Sequence, residues 1–238
     1  TSTESQYMKT LGLIGGMSAE STVLYYQIIN REINRRLGGN HSARLVMHSV
    51  DFEEIVCLQR AGDWAGAAAH LAACARQLQQ IGAEALVLCT NTMHKVAPAL
   101  SEAAGIPLLH VVDATAAAIR AQGLQQVALL GTRFTMSDGF YAERMAEHGI
   151  TVLVPEAAVQ DKLHQIIFEQ LCVGRIEPEA KAVYQQAIAD LAAKGAQGVI
   201  LGCTEICLLI QPADTALPVF DSTELHALAA VDFALSAA

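Results

Sequence analysis

The chain has 238 residues, 53% of them hydrophobic and 16% charged, with a positive mean hydropathy. Intrinsic disorder is excluded, since it needs low hydrophobicity and dense charge. The formal charge of −9 gives no cationic footprint for nucleic acid or an anionic membrane surface, and no apolar run approaches the roughly 20 residues of a spanning helix.

Short β-branched and leucine-rich runs alternate with longer amphipathic stretches, the pattern of parallel α/β architecture. The first seven residues, polar and uncharged apart from Glu4, read as a flexible lead-in and not a secretory leader, so a soluble cytoplasmic protein is expected. In chain order the spacing then predicts strand 10–14, helix 21–37, strand 44–49, helix 64–81, strand 85–88, helix 95–104, strand 108–110 and helix 113–122. It continues with strand 127–130, helix 139–148, strand 151–154, helix 161–172, helix 178–194, strand 198–201, strand 219–220 and helix 223–236. Gly38, Gly82, Gly105, Gly123, Gly149 and Gly195 come directly after predicted helices, where a left-handed cap belongs.

Six cysteines (Cys57, Cys74, Cys89, Cys172, Cys203 and Cys207) lie scattered without a C-x-x-C pair or metal-finger spacing. Neither a disulfide framework nor a metal site is expected, and small buried hydrophobes are the ordinary reading.

The chain also repeats itself. Residues 9–22, KTLGLIGGMSAEST, and 126–141, QVALLGTRFTMSDGFY, each run from strand through glycine turn and small hydroxyl residues into helix. Further on, ALVLCTNT (85–92) parallels GVILGCTE (198–205), with 74 residues from Gly15 to Cys89 and 72 from Gly131 to Cys203. Matching motifs at matching spacing imply two similar α/β lobes. The segment 219–238 is expected to return to the first lobe, giving a first lobe of 8–105 plus 219–238 and a second of 106–218. A ligand would bind in the cleft at the C-terminal ends of the strands. Both LCTNT and GCTE put a thiol and a hydroxyl at such a strand end. A helix N-terminus just beyond would supply free N–H groups there and pull the thiol pKa down from about 8.5.

The combination of GLIGGMS, CTNTMH, LLGTRFTM, DKLHQIIFEQL and LGCTE resembles the aspartate/glutamate racemase family, amino-acid racemases that work without pyridoxal phosphate. The likeness runs from about Lys9 to the C-terminus. It implies two pseudo-symmetric, flavodoxin-like α/β lobes with parallel sheets, an active site in the cleft between them, no cofactor, a small amino-acid substrate and a homodimer. The implied reaction interconverts L- and D-enantiomers of aspartate, glutamate or a broader polar range such as homoserine. One acid/base group on each face of the α-carbon removes and returns the proton, and fixed donors stabilise the carbanion's carboxylate.

Position by position, Cys203 of GCTE matches the family's second-lobe cysteine. In the first lobe many members read Cys-Asn-Thr, whereas this chain reads Cys89-Thr90-Asn91-Thr92. Counting back from Asn-Thr puts Thr90 in the catalytic slot, the favoured reading; counting from the strand puts Cys89 there. Strand alternation points these two side chains opposite ways. By the same resemblance Asn91, Thr92 and Thr204 hold the substrate's carboxylate and amine, and Met17 packs beside it. Lys162 pairs with a substrate carboxylate, and Glu205 orients the site. Aspartate-specific relatives carry an arginine after the second strand. Here SVDFEEI is acidic, so Gln59 is expected to reach the substrate and a broader side-chain range is allowed. His48 and His94 read as structural. Two other readings stay open: a related cofactor-free decarboxylase or isomerase, and a non-catalytic two-lobed metabolite-binding protein.

Overall fold

The computed structural model of the protein describes residues 7–237, so the lead-in expected at the start lies outside the described residues up to position 6. The first half contains β1 (Leu11–Gly15), α1 (Ala19–Leu37), β2 (Leu45–Ser49), α2 (Phe52–Ala61), α3 (Trp64–Gln80), β3 (Ala85–Leu88), α4 (Ala97–Ala104) and β4 (Leu108–Leu109). The second contains α5 (Val111–Ala121), β5 (Gln126–Gly131), α6 (Arg133–Ser137), α7 (Phe140–Glu147), β6 (Thr151–Leu153), α8 (Ala157–Glu169), α9 (Pro178–Ala193), β7 (Val199–Gly202), β8 (Val219–Asp221) and α10 (Ser222–Leu235).

The strands form two four-stranded parallel sheets with the same order, β2-β1-β3-β4 and β6-β5-β7-β8. This is the α/β repeat that the paired motifs predict. In each sheet the chain turns outward in opposite directions from the two central strands, so β1/β3 and β5/β7 flank a topological switch point, where open α/β sheets take their ligands. Those central strands are buried along nearly their whole length, as continuous apolar runs in a sheet covered on both faces must be.

Helix ends obey local chemistry. The Ser18 hydroxyl accepts from the Ser21 N–H to open α1, and Asp63 caps α3 by accepting from the Gly66 N–H. The six glycines expected as caps all have positive φ. Helix α2 is an addition: its polar start masks a helix that Asp51 caps and left-handed Gly62 closes. The predicted helix at 95 begins instead as a 3-10 turn, Thr92–Val96, and becomes α-helical only at Ala97, behind which Pro98 fits the first turn.

By compactness the chain divides into two units. The first comprises the residues through Cys89, Val96–His110 and His226 onward; the second comprises Thr90–Lys95 and Val111–Leu225. The C-terminal segment therefore does not return to the first lobe as a whole. Its strand β8 pairs parallel with β7 in the second sheet, because Val219 and Phe220 complete that sheet's apolar edge, with Phe220 buried in the second core. Only the later turns of α10 pack in the first core, through Ala227, Ala230, Val231 and Ala234 beside Tyr25, Ile29 and Ile33 of α1.

One polar pair lies inside the first unit. The His226 Nε2–H donates to the Leu109 carbonyl at 2.6 Å, and its Nδ1 accepts from the Tyr25 hydroxyl at 2.8 Å. Burial holds the imidazole down at about 4 from 6.5. The neutral ring's contribution is thus complete above about 6.5 and is lost as pH falls towards 4, worth at most about 3 kcal/mol. Urea midpoints should fall between pH 7 and pH 4.5 in the native protein, and His226→Gln should flatten that dependence while lowering stability at pH 7.

Candidate active site

The sheet register decides which residues occupy equivalent positions in the two repeats. Ile14 pairs with Leu88, and Leu130 pairs with Leu201. Gly15 and Gly131 end equivalent strands, so Cys89 corresponds to Gly202 and Thr90 to Cys203. Counting residues from glycine to cysteine equates the two cysteines, and it fails by one position. A Cβ on Gly202 would stand 2.6 Å from Leu129 Cδ1 and 3.1 Å from the Leu130 carbonyl oxygen, so β7 ends where β5 leaves little room for a side chain.

Cys89 remains in the sheet ladder, its N–H bonded to the Ile14 carbonyl at 2.9 Å. Its side chain is fully buried in the first core and its Sγ faces the Val87 carbonyl; burial drives the thiol pKa far up. Met17, behind β1, and Gln59, on α2, are also buried residues of the first unit.

Thr90, Asn91, Thr92, Lys162, Cys203 and Thr204 all belong to the second unit. The Asn91 amide donates to Ser222 Oγ at 3.0 Å, and that hydroxyl donates to the Leu201 carbonyl at 2.6 Å. Asn91 Oδ1 is buried and has no hydrogen-bond partner among the described residues. It is an acceptor facing no donor, and a buried acceptor of that kind costs about 1–3 kcal/mol until something fills it. Thr92 Oγ1 lies 2.8 Å from Thr132 Oγ1 and 3.1 Å from Thr135 Oγ1, a cluster of three buried hydroxyls at the mouth of β5. Thr132, Thr135 and Ser222 escape a reading of the motifs alone, though LLGTRFTM and the residue after β8 carry them. Lys162 stands exposed on α8.

Cys203 and Glu205 are 7% and 3% exposed, and their closeness sets the electrostatics. The Cys203 thiol donates to Glu205 Oε2 at 3.0 Å, and the Thr204 hydroxyl donates to the same oxygen at 2.8 Å. Burial first, and then the Glu205 carboxylate and the neighbouring Cys172, push the Cys203 thiol well above its ordinary value. The expected lowering by a helix N-terminus does not occur. Cys203 leads into a three-residue 3-10 turn, Ile206–Leu208, and Thr90 leads into the 3-10 turn Thr92–Val96, so neither position has an α-helix dipole directly behind it. The resting group is a neutral thiol beside a carboxylate. Among the described residues no three His, Cys, Asp or Glu side chains gather to hold a metal ion, and no helix is long and apolar enough to cross a membrane.

The sequence profile of the Asp/Glu/Hydantoin racemase family matches residues 14–230. A solved structure of a provisionally assigned Asp/Glu racemase from Yersinia pestis is 50% identical, with TM-score 0.90 over 96% of this chain and 100% of that one. An aspartate racemase homologue from Pyrococcus horikoshii OT3 is 35% identical, with TM-score 0.81 over 96% of this chain and 100% of that one. Glutamate racemase from Persephonella marina is 26% identical over 161 residues, 65% of this chain, and the match spans only 60% of that enzyme's length.

Because a charged neighbour helps hold the Cys203 proton on, Glu205→Gln should free it. Iodoacetamide labelling of Cys203 at pH 8, measured by peptide mass spectrometry, should speed up several-fold in that variant. An unchanged or slower rate would mean that Glu205 does not govern the thiol.

Proposed function

The chain belongs to the Asp/Glu/Hydantoin racemase family, and from that premise we propose that it is a cofactor-independent amino-acid racemase using Thr90 and Cys203 as its acid/base pair. The observation that carries the reading is the register equivalence of Thr90 and Cys203, together with their membership of one compact unit.

Racemisation requires an α-proton to leave one face of the substrate and a proton to arrive on the other. Glu205 accepts the Cys203 S–H bond, so it is the group to which the thiol proton moves as the sulfur takes the α-proton. A thiolate with a raised pKa is a strong base, suited to a weakly acidic C–H. The Thr90 hydroxyl returns a proton to the opposite face and is itself restored from solvent, to which Glu205 gives up the proton it took from the thiol. Asn91 Oδ1, the unfilled acceptor, receives the substrate ammonium. Backbone N–H groups of the Thr90–Thr92 and Cys203–Glu205 turns bind the α-carboxylate as charge builds on it. Lys162 and the absence of an arginine in the SVDFEEI segment support polar substrates from aspartate and glutamate to homoserine.

A hydroxyl is a much poorer base than a thiolate, so the pair is asymmetric. The enantiomers have equal free energy, so kcat/KM must agree in the two directions. Unequal turnover is therefore matched by unequal KM.

Chiral chromatography and mass spectrometry in heavy water test the assignment. Cys203→Ala should lose inversion by about 100-fold or more. Thr90→Ala should lose inversion but keep deuterium wash-in from the one enantiomer whose α-proton faces Cys203. Loss of all exchange in Cys89→Ala, with Thr90→Ala near native, would move the role to Cys89. Carbon dioxide release would point to a decarboxylase, and ligand binding without exchange to a non-catalytic binder.

A further inference from the structure

His94 lies in the 3-10 turn Thr92–Val96 and is 2% exposed. Its Nδ1 stands 2.7 Å from the Thr90 carbonyl oxygen. Its Nε2 stands 3.2 Å from the backbone nitrogen of Val111, the first residue of α5. A carbonyl only accepts and a backbone N–H only donates, so the tautomer is fixed: Nδ1–H donates to Thr90, and the Nε2 lone pair receives the Val111 N–H. The ring thereby fastens the turn carrying Thr90 and Asn91 to a helix that supplies no site residue. The same turn is held at its other end by the Lys95 ammonium on Asp138, 2.7 Å away.

We infer that His94 is a positioning residue for Thr90: its Nδ1–H bond to the Thr90 carbonyl sets the backbone of the turn, and with it the aim of the Thr90 hydroxyl and the Asn91 amide. The catalytic consequence rests on the racemase reading; the backbone restraint does not. Its effect comes from geometry, since a displacement of about 1 Å at a reacting group costs on the order of 100-fold in rate.

Two near-isosteric variants separate the two bonds. His94→Asn places an amide N–H where Nδ1 stands and nothing at Nε2, keeping the Thr90 bond. His94→Gln places its amide near Nε2, keeping the Val111 bond and leaving the Thr90 carbonyl bare. His94→Asn should keep kcat within about threefold of native, and His94→Gln should lower it by about 100-fold, with a smaller change in KM. Backbone amide exchange over residues 90–95, read by mass spectrometry, should quicken in His94→Gln and stay native in His94→Asn. The reverse pattern, or equal losses tracking a fall in Tm, overturns the inference. If the native protein exchanges no α-proton, the racemase reading fails alone, because the amide-exchange comparison still tests what His94 does.

Discussion

A thiol and a carboxylate 3.0 Å apart, both nearly cut off from water, set the terms for everything else at this site. A buried carboxylate needs donors, and Glu205 has two of them on one oxygen, from Cys203 and Thr204. The same closeness forbids both groups from being ionised together, because two like charges at that separation repel by several kcal/mol in a protein interior. The proton therefore rests on sulfur, hydrogen-bonded to the Glu205 oxygen. Such a pair can hand a proton over without waiting for bulk water, at the cost of a thiol that is sluggish towards outside reagents.

The fold delivers this pair by repetition. Two sheets of identical order end their central strands at switch points, and β3 and β7 each lead into a 3-10 turn instead of directly into a long helix. Where the second repeat places sulfur, the first places a hydroxyl, and the cysteine before it turns into the core. The repeats thus share backbone and differ in chemistry. Residues 90–95 then join the compact unit that carries Cys203, Thr132 and Ser222, and a local motif becomes part of a tertiary cluster.

Much of this is legible in the amino-acid order. The strands announce themselves as apolar runs, and the capping glycines mark helix ends. GCTE and CTNT fall at strand ends as their position after apolar runs implies. Three things are not legible there. Helix α2 hides behind an acidic start, and of its apolar side chains only Ile55 and Val56 are buried. The destination of β8 depends on which sheet offers an edge, a non-local choice that Val219 and Phe220 alone do not encode. The thiol's state depends on whether a helix comes next and on how deeply Glu205 is buried beside it, and both are set by packing. Residue counting misplaces the first-lobe counterpart of Cys203 for a related reason: equivalence is set by hydrogen-bond register, and the β1-to-β3 connection is longer than its partner by a few residues.

The most direct measurement is the α-proton resonance of L- and D-aspartate, glutamate and homoserine, monitored by proton NMR in heavy water with the protein and no added cofactor. For at least one amino acid the signal should vanish from both enantiomers while the amount of substrate stays constant. A signal that persists for every amino acid, or that fades only as substrate is consumed, would contradict the account.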